Sequence, residues 1–100
     1  MGLYLVEVDL DVSTPEKRAA VFERVEQVIT NAGTPTAKLV AGPWGSLNRP
    51  TIYMVFNNPD LEQSLPELMG LYNAGLIRDV RSQPITDWKG VKAAAAKVAG

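Results

Sequence analysis

Glu7 and Asp9 stand two residues apart within the largely apolar stretch Leu3 to Val12. In an extended chain that spacing puts both carboxyl groups on one side as near neighbours. Inside a closed pocket, repulsion and desolvation would raise the pKa of one of them and make it a general acid or base. Glu7, deeper in the strand, is the better candidate; at a solvent-exposed strand end the pair would do no such work. Trp44, Asn48, Arg49 and Tyr53 gather in and just after a loop rich in Gly and Pro. The two aromatic rings could stack on a flat apolar ligand, and Asn48 and Arg49 could hold a carbonyl or enolate oxygen. The ordinary alternatives are a turn asparagine, a solvated arginine and a tryptophan packed in a loop or an interface. Arg78 and Arg81 point to opposite faces of one extended segment, so one of them can face a pocket and bind a carboxylate. The alternative for either is a surface or interface ion pair. Parity leaves the choice open, because Arg81 shares that of Ile77 and Arg78 that of Val80.

The residue types that are missing restrict the chemistry further. The chain has 100 residues and neither cysteine nor histidine. Disulfides and soft-ligand metal sites are out of reach, and so are Ser-His-Asp and Cys-His nucleophiles. Proton transfer falls to Asp, Glu, Lys, Arg or Tyr, and no cofactor is implied. With 10 basic and 11 acidic residues the net charge is −1, which leaves no electrostatic footprint for nucleic acid or an anionic membrane. No apolar run approaches the ~20 residues of a membrane span. Glu7 and Asp9 interrupt the only stretch that could resemble a signal peptide. A cytoplasmic location is the expectation.

These residues must be positioned by a small α+β domain. Leu3 to Val12 reads as a strand, with Tyr4, Val6, Val8, Leu10 and Val12 on one face and Leu3, Leu5, Glu7, Asp9 and Asp11 on the other. Ser13-Thr14-Pro15-Glu16 starts a helix over Pro15 to Ala32. Its apolar stripe is Phe22, Val25, Ile29 and Ala32, widened by Val21 and Val28, and Gly33 stops it. Thr36 to Gly42 and Thr51 to Phe56 form a long-looped hairpin. Asn58-Pro59-Asp60 opens a second helix whose stripe is Leu61, Leu65, Leu68, Met69 and Tyr72; Pro66 should break or kink it, and Gly75 ends it. Leu76 to Ile85 is a fourth strand, interrupted near Pro84. Thr86-Asp87 caps a short helix carrying Trp88, Val91 and Val98, and its tail from Ala93 should fray. The whole reads as one domain over 1–100, with a core over 1–85 and a terminal helix and tail over 86–100.

Strand, helix, strand, strand, helix, strand is the ferredoxin-like βαββαβ order, with a four-stranded antiparallel sheet. Each helix has one apolar stripe, so both must cross the same sheet face. The other face would carry Leu3, Leu5, Glu7 and Asp9 and a largely apolar set from the third strand, more than a monomer normally exposes. A second copy is the simplest cover. A terminal helix folded back through Trp88 and Val91 is the alternative, and donation of that helix or of an edge strand to a larger assembly is a third.

The element order, the length and the start Gly2-Leu3-Tyr4-Leu5-Val6-Glu7-Val8-Asp9 resemble the dimeric α+β barrel superfamily. Gly45-Ser46-Leu47-Asn48-Arg49 leading into Thr51-Ile52-Tyr53-Met54 is similar to the stretch before the third strand of NIPSNAP-like members. Leu3 to Asp9 and Asn58 to Gly75 are similar to muconolactone isomerases. The superfamily also holds the cofactor-free antibiotic-biosynthesis monooxygenases, in which Trp, Asn, Tyr and Arg near the pocket serve substrate binding and oxygen chemistry. The resemblance implies a homodimer with a small-molecule site in the barrel interior. It further implies an isomerase, cyclase or monooxygenase acting without metal or cofactor on a small aromatic, lactone or polyketide-like substrate. Glu7 would be the base, Asn48 with Arg49 or Arg81 the oxyanion or carboxylate holder, and Trp44 and Tyr53 the walls, with Asp9 beside them. A non-catalytic dimer that binds a ligand or a protein is the alternative, favoured by the absence of histidine.

Overall fold

The structure, a computed structural model, describes residues 2–57 and 61–99. The elements run β1 (Leu3–Leu10), α1 (Pro15–Thr30), β2 (Lys38–Gly45), β3 (Thr51–Asn57), α2 (Leu61–Asn73), β4 (Ile77–Ile85) and α3 (Trp88–Ala99). Their sheet is antiparallel throughout, in the order β2-β3-β1-β4. This is the α+β, ferredoxin-like fold expected from the sequence.

Alternation in β1 decides which face is covered. Val8 and Leu10 are buried and Val6 is packed against them, beneath Val21, Val25 and Val28 of α1 and Leu68 and Leu71 of α2. Met54 and Phe56 of β3 and Ile77 of β4 complete the core. Thr14 caps α1, its hydroxyl accepting from the backbone N–H of Lys17 at 3.1 Å. Ala32 (φ 53°) and Gly33 (φ 140°) end the helix.

Several local expectations need correcting. Phe22 and Ile29 are 57% and 46% exposed, so the buried stripe of α1 is Val21, Val25 and Val28. In α2 it is Leu68 and Leu71, while Leu65, Met69 and Tyr72 are exposed. Both helices carry apolar residues around more than one face, and the sheet selects the subset that lies over Val8 and Met54. Pro66 neither breaks nor ends α2. It lies inside the helix, which continues past it without the i−4 hydrogen bond that its missing N–H would have made. The expected cap Asn58-Pro59-Asp60 lies outside the described residues. β2 begins and ends later than expected and takes in Pro43 and Trp44. β4 continues through Pro84, which its edge position allows. α3 stays helical from Trp88 to Ala99 instead of fraying at Ala93.

Nor does α3 fold back over the sheet. Its residues are exposed along nearly its whole length, with Trp88 71% and Val98 89% accessible. The radius of gyration is 15.4 Å, above the ~13 Å of a compact domain of this length. No helix among the described residues is long and apolar enough to cross a membrane.

Candidate functional site

The face of the sheet away from α1 and α2 is assembled by register, since paired residues on neighbouring strands share a side. Trp44 pairs with Tyr53, Tyr53 with Glu7, and Glu7 with Arg81. One row of side chains thus runs across all four strands. On one side of it lie Thr51, Asp9 and Asp79; on the other lie Ala41, Val55, Leu5 and Gln83. Leu3 and Ile85 pair further along. Asn57 and Lys38 share the row of Leu3, so the open face is acidic at one end and largely apolar, with Gln83, Asn57 and Lys38 among the aliphatic residues, at the other.

Irregularities in the pairing of β2 and β4 bear on this row. Three steps along β2, from Ala41 to Trp44, match two along β3, from Val55 to Tyr53. Gly42 (φ 88°) and Pro43, joined by a cis peptide bond, fill that bulge. A side chain on Gly42 would place its Cβ 2.7 Å from the carbonyl oxygen of Tyr53. An earlier slip, where two steps from Leu39 to Ala41 match one from Phe56 to Val55, is offset by this bulge, so that Trp44, 55% exposed, stands on the open face, opposite to that of Leu39. In β4 the register slips where Asp79 pairs with Asp9 and Ile77 with Leu10. Arg78 occupies the slip and reaches toward Asp11 at 3.9 Å. Ile77 and Val80 both face the core in consequence, and Arg81 is the arginine on the open face.

Arg81 sits among three carboxylates. Its Nε and Nη2 donate to Glu7 Oε2 at 3.2 and 3.1 Å. Nη2 and Nη1 also donate to the two oxygens of Asp9, each at 3.1 Å, and Nη1 donates to Asp79 Oδ2 at 2.8 Å. The hydroxyl of Thr51, a residue 2% exposed, donates to Asp9 Oδ1 at 2.6 Å. Hydrogen bonds from Arg81 and then Thr51 hold Asp9 down at about 2, against an ordinary 3.8, and Arg49 adds attraction from the loop. The expected repulsion between Glu7 and Asp9 does not raise Asp9, because a cation lies between the two groups. The carboxylates in turn push the Arg81 pKa up. A guanidinium so fully engaged could bind a ligand carboxylate only by releasing one of its own. Asp9, ionised at any ordinary pH, is a poor proton acceptor.

Of the seven residues to which the resemblance gives a site role, the sheet brings together Trp44, Tyr53, Glu7, Asp9 and Arg81. Asn48 and Arg49 lie exposed in the turn between β2 and β3, with the backbone N–H of Asn48 bonded to Ser46 Oγ at 3.1 Å. Asn48 is thus a turn residue beyond the end of the row. Thr51 and Asp79 complete the polar cluster and were not singled out, although Thr51 shares the parity of Tyr53. Two grooves of about 520 and 320 Å³ lie on the opposite, helical face, between α1, α2 and the sheet. Val8, Met54, Val28 and Leu71 line both, and none of the seven residues borders either. Among the described residues no three His, Cys, Asp or Glu side chains are placed so that they could hold a metal ion. Neither family models nor curated proteins match the chain.

Proposed function

We propose that the protein is a homodimer closed through its open sheet faces, and that it binds a small aromatic, lactone or polyketide-like ligand between them. The row Trp44–Tyr53–Glu7–Arg81 carries this reading. It places two aromatic surfaces beside a charged cluster on the one sheet face that no helix covers, an arrangement suited to a flat ligand with an oxygen at one end. The apolar half, Leu3, Leu5, Val55 and Ile85, supplies contact area for the second copy.

A second reading, cofactor-free isomerisation, cyclisation or oxygenation, is favoured by one feature of Glu7. Both bonds from Arg81 go to Oε2, and Oε1 has no hydrogen bond among the described residues. That oxygen is available to take a proton from a ligand lying on Tyr53.

Light scattering on the eluting protein should give twice the chain mass, and Leu5→Lys should give one chain mass with an unchanged circular dichroism spectrum. A native mass of one chain overturns the dimer. Titration with flat aromatic lactones should quench Trp44 in the native protein and lose affinity in Tyr53→Ala. Turnover abolished by Glu7→Gln, with binding retained, selects the catalytic reading.

A further inference from the structure

α3 has an apolar face that no other element covers among the described residues. Trp88, Val91 and Val98 are 71%, 43% and 89% exposed and recur at helical spacing on one side, with Ala94 and Ala95 between them. The helix is nonetheless firmly begun. The Asp87 carboxylate accepts from the backbone N–H of Gly90 at 2.8 Å, and its carbonyl accepts from Val91 at 3.1 Å. Gly90 has no side chain, so Thr86 packs directly on the first turn; a Cβ there would overlap the Thr86 hydroxyl. The first turn is thereby fixed to the end of β4, and two residues of linker leave no slack for α3 to fold over its own sheet.

Charge restricts what can meet this face. α3 holds Lys89, Lys92 and Lys97 and no acidic residue. The rest of the chain holds the other seven basic residues and all eleven acidic ones, a net charge of −4. Pairing one α3 with another would set two such cationic helices side by side, which is unfavourable. The complement is an apolar surface with surplus carboxylate. The open sheet face of the same chain is that surface: Leu3, Leu5, Val55 and Ile85 at one end, and Glu7, Asp9 and Asp79 sharing the single Arg81 at the other.

We propose that the two copies exchange α3, each helix laying its Trp88–Val91–Val98 stripe on the apolar half of the other copy's open face, with its lysines toward Asp79 and Asp9. This rests on the homodimer proposed above and names what closes it. It also gives the ligand space. Sheets in direct contact pack about 10 Å apart with interdigitated side chains, whereas helices about 10 Å across, set between them, hold the aromatic row open.

The test uses the full chain. In Trp44→Phe, Trp88 is the sole tryptophan. At concentrations where light scattering gives a dimer, its emission should be blue-shifted and shielded from acrylamide, and both properties should be lost on dilution to monomer. Reversing Lys89, Lys92 and Lys97 to Glu together should weaken the dimer by about tenfold or more, and adding Asp79→Lys should restore it. A dimer in which Trp88 stays fully quenchable, or in which the reversed lysines change nothing, overturns the exchange and leaves the dimer standing. Weakening without rescue by Asp79→Lys overturns docking on the open face. A native chain that is monomeric overturns both.

Discussion

Replacing Arg81 with Met removes the guanidinium and keeps an unbranched stem of similar reach. In the native protein Asp9 is held at about 2 against an ordinary 3.8, first by Arg81 and then by Thr51. That difference corresponds to a proton affinity lowered roughly 60-fold. Arg81→Met deletes the larger cause and leaves the 2.6 Å bond from Thr51. It also leaves Glu7, Asp9 and Asp79 on one surface without the cation between them, which favours protonation of one member. Asp9 should therefore rise to its ordinary value or past it. Carboxyl-carbon NMR against pH reads this directly. Asp11 provides an internal reference, because Ser13 and Lys17 hold it well below the usual carboxylate range through contacts that Arg81 does not touch. The sign for stability follows from linkage. A carboxylate with a lower pKa folded than unfolded stabilises the fold above the unfolded value, and that contribution is lost as pH falls through the folded one. The native urea midpoint should drop between pH 3.8 and about 2, and the drop should be shallower in Arg81→Met, with the part due to Asp11 retained. A native Asp9 that titrates at its ordinary value, or an Asp9 indifferent to Arg81, would refute the hub.

Phe56→Ala should cost about 3–5 kcal/mol, because the ring is 8% exposed in the core under both helices; urea unfolding checks it. Gly42→Ala should destabilise by about 1–2 kcal/mol or more, since φ is 88° and the new Cβ would meet the Tyr53 carbonyl; a changed Trp44 emission should accompany the lower urea midpoint. Thr14→Ala should cost about 1 kcal/mol by removing the cap of α1, with Thr14→Ser close to native in the same unfolding assay.

The parts of the fold governed by one strand or helix were legible in the sequence. Val6, Val8 and Leu10 alternate with Glu7 and Asp9, so β1 declares both of its faces, and Thr14-Pro15 declares the start of α1. What depends on pairing between strands was not. The two slips in β2, at Val40 and at Gly42-Pro43, cancel, so Trp44 falls on the face opposite to that of Leu39 while Ala41 between them does not follow alternation. Arg81 reaches the open face only because the register slips at Arg78, where simple alternation from Ile77 is uninformative. Thr51 and Asp79 join the site through partners on β1, far away in sequence. The direction of the Asp9 pKa followed from the same gap: two neighbouring carboxylates imply repulsion until the arginine from β4 is placed between them. The stripes of α1 and α2 were misplaced by a fraction of a turn because both helices are apolar on more than one side.

Both strands at the margins of the sheet carry a proline, Pro43 in β2 and Pro84 in β4. A proline has no N–H, so neither margin presents an unbroken row of donors on which another chain could extend the sheet. Fibril growth by strand addition is disfavoured at both ends. A chain protected in this way can present an apolar sheet surface with less exposure to edge-to-edge polymerisation than an unbroken strand margin would bring.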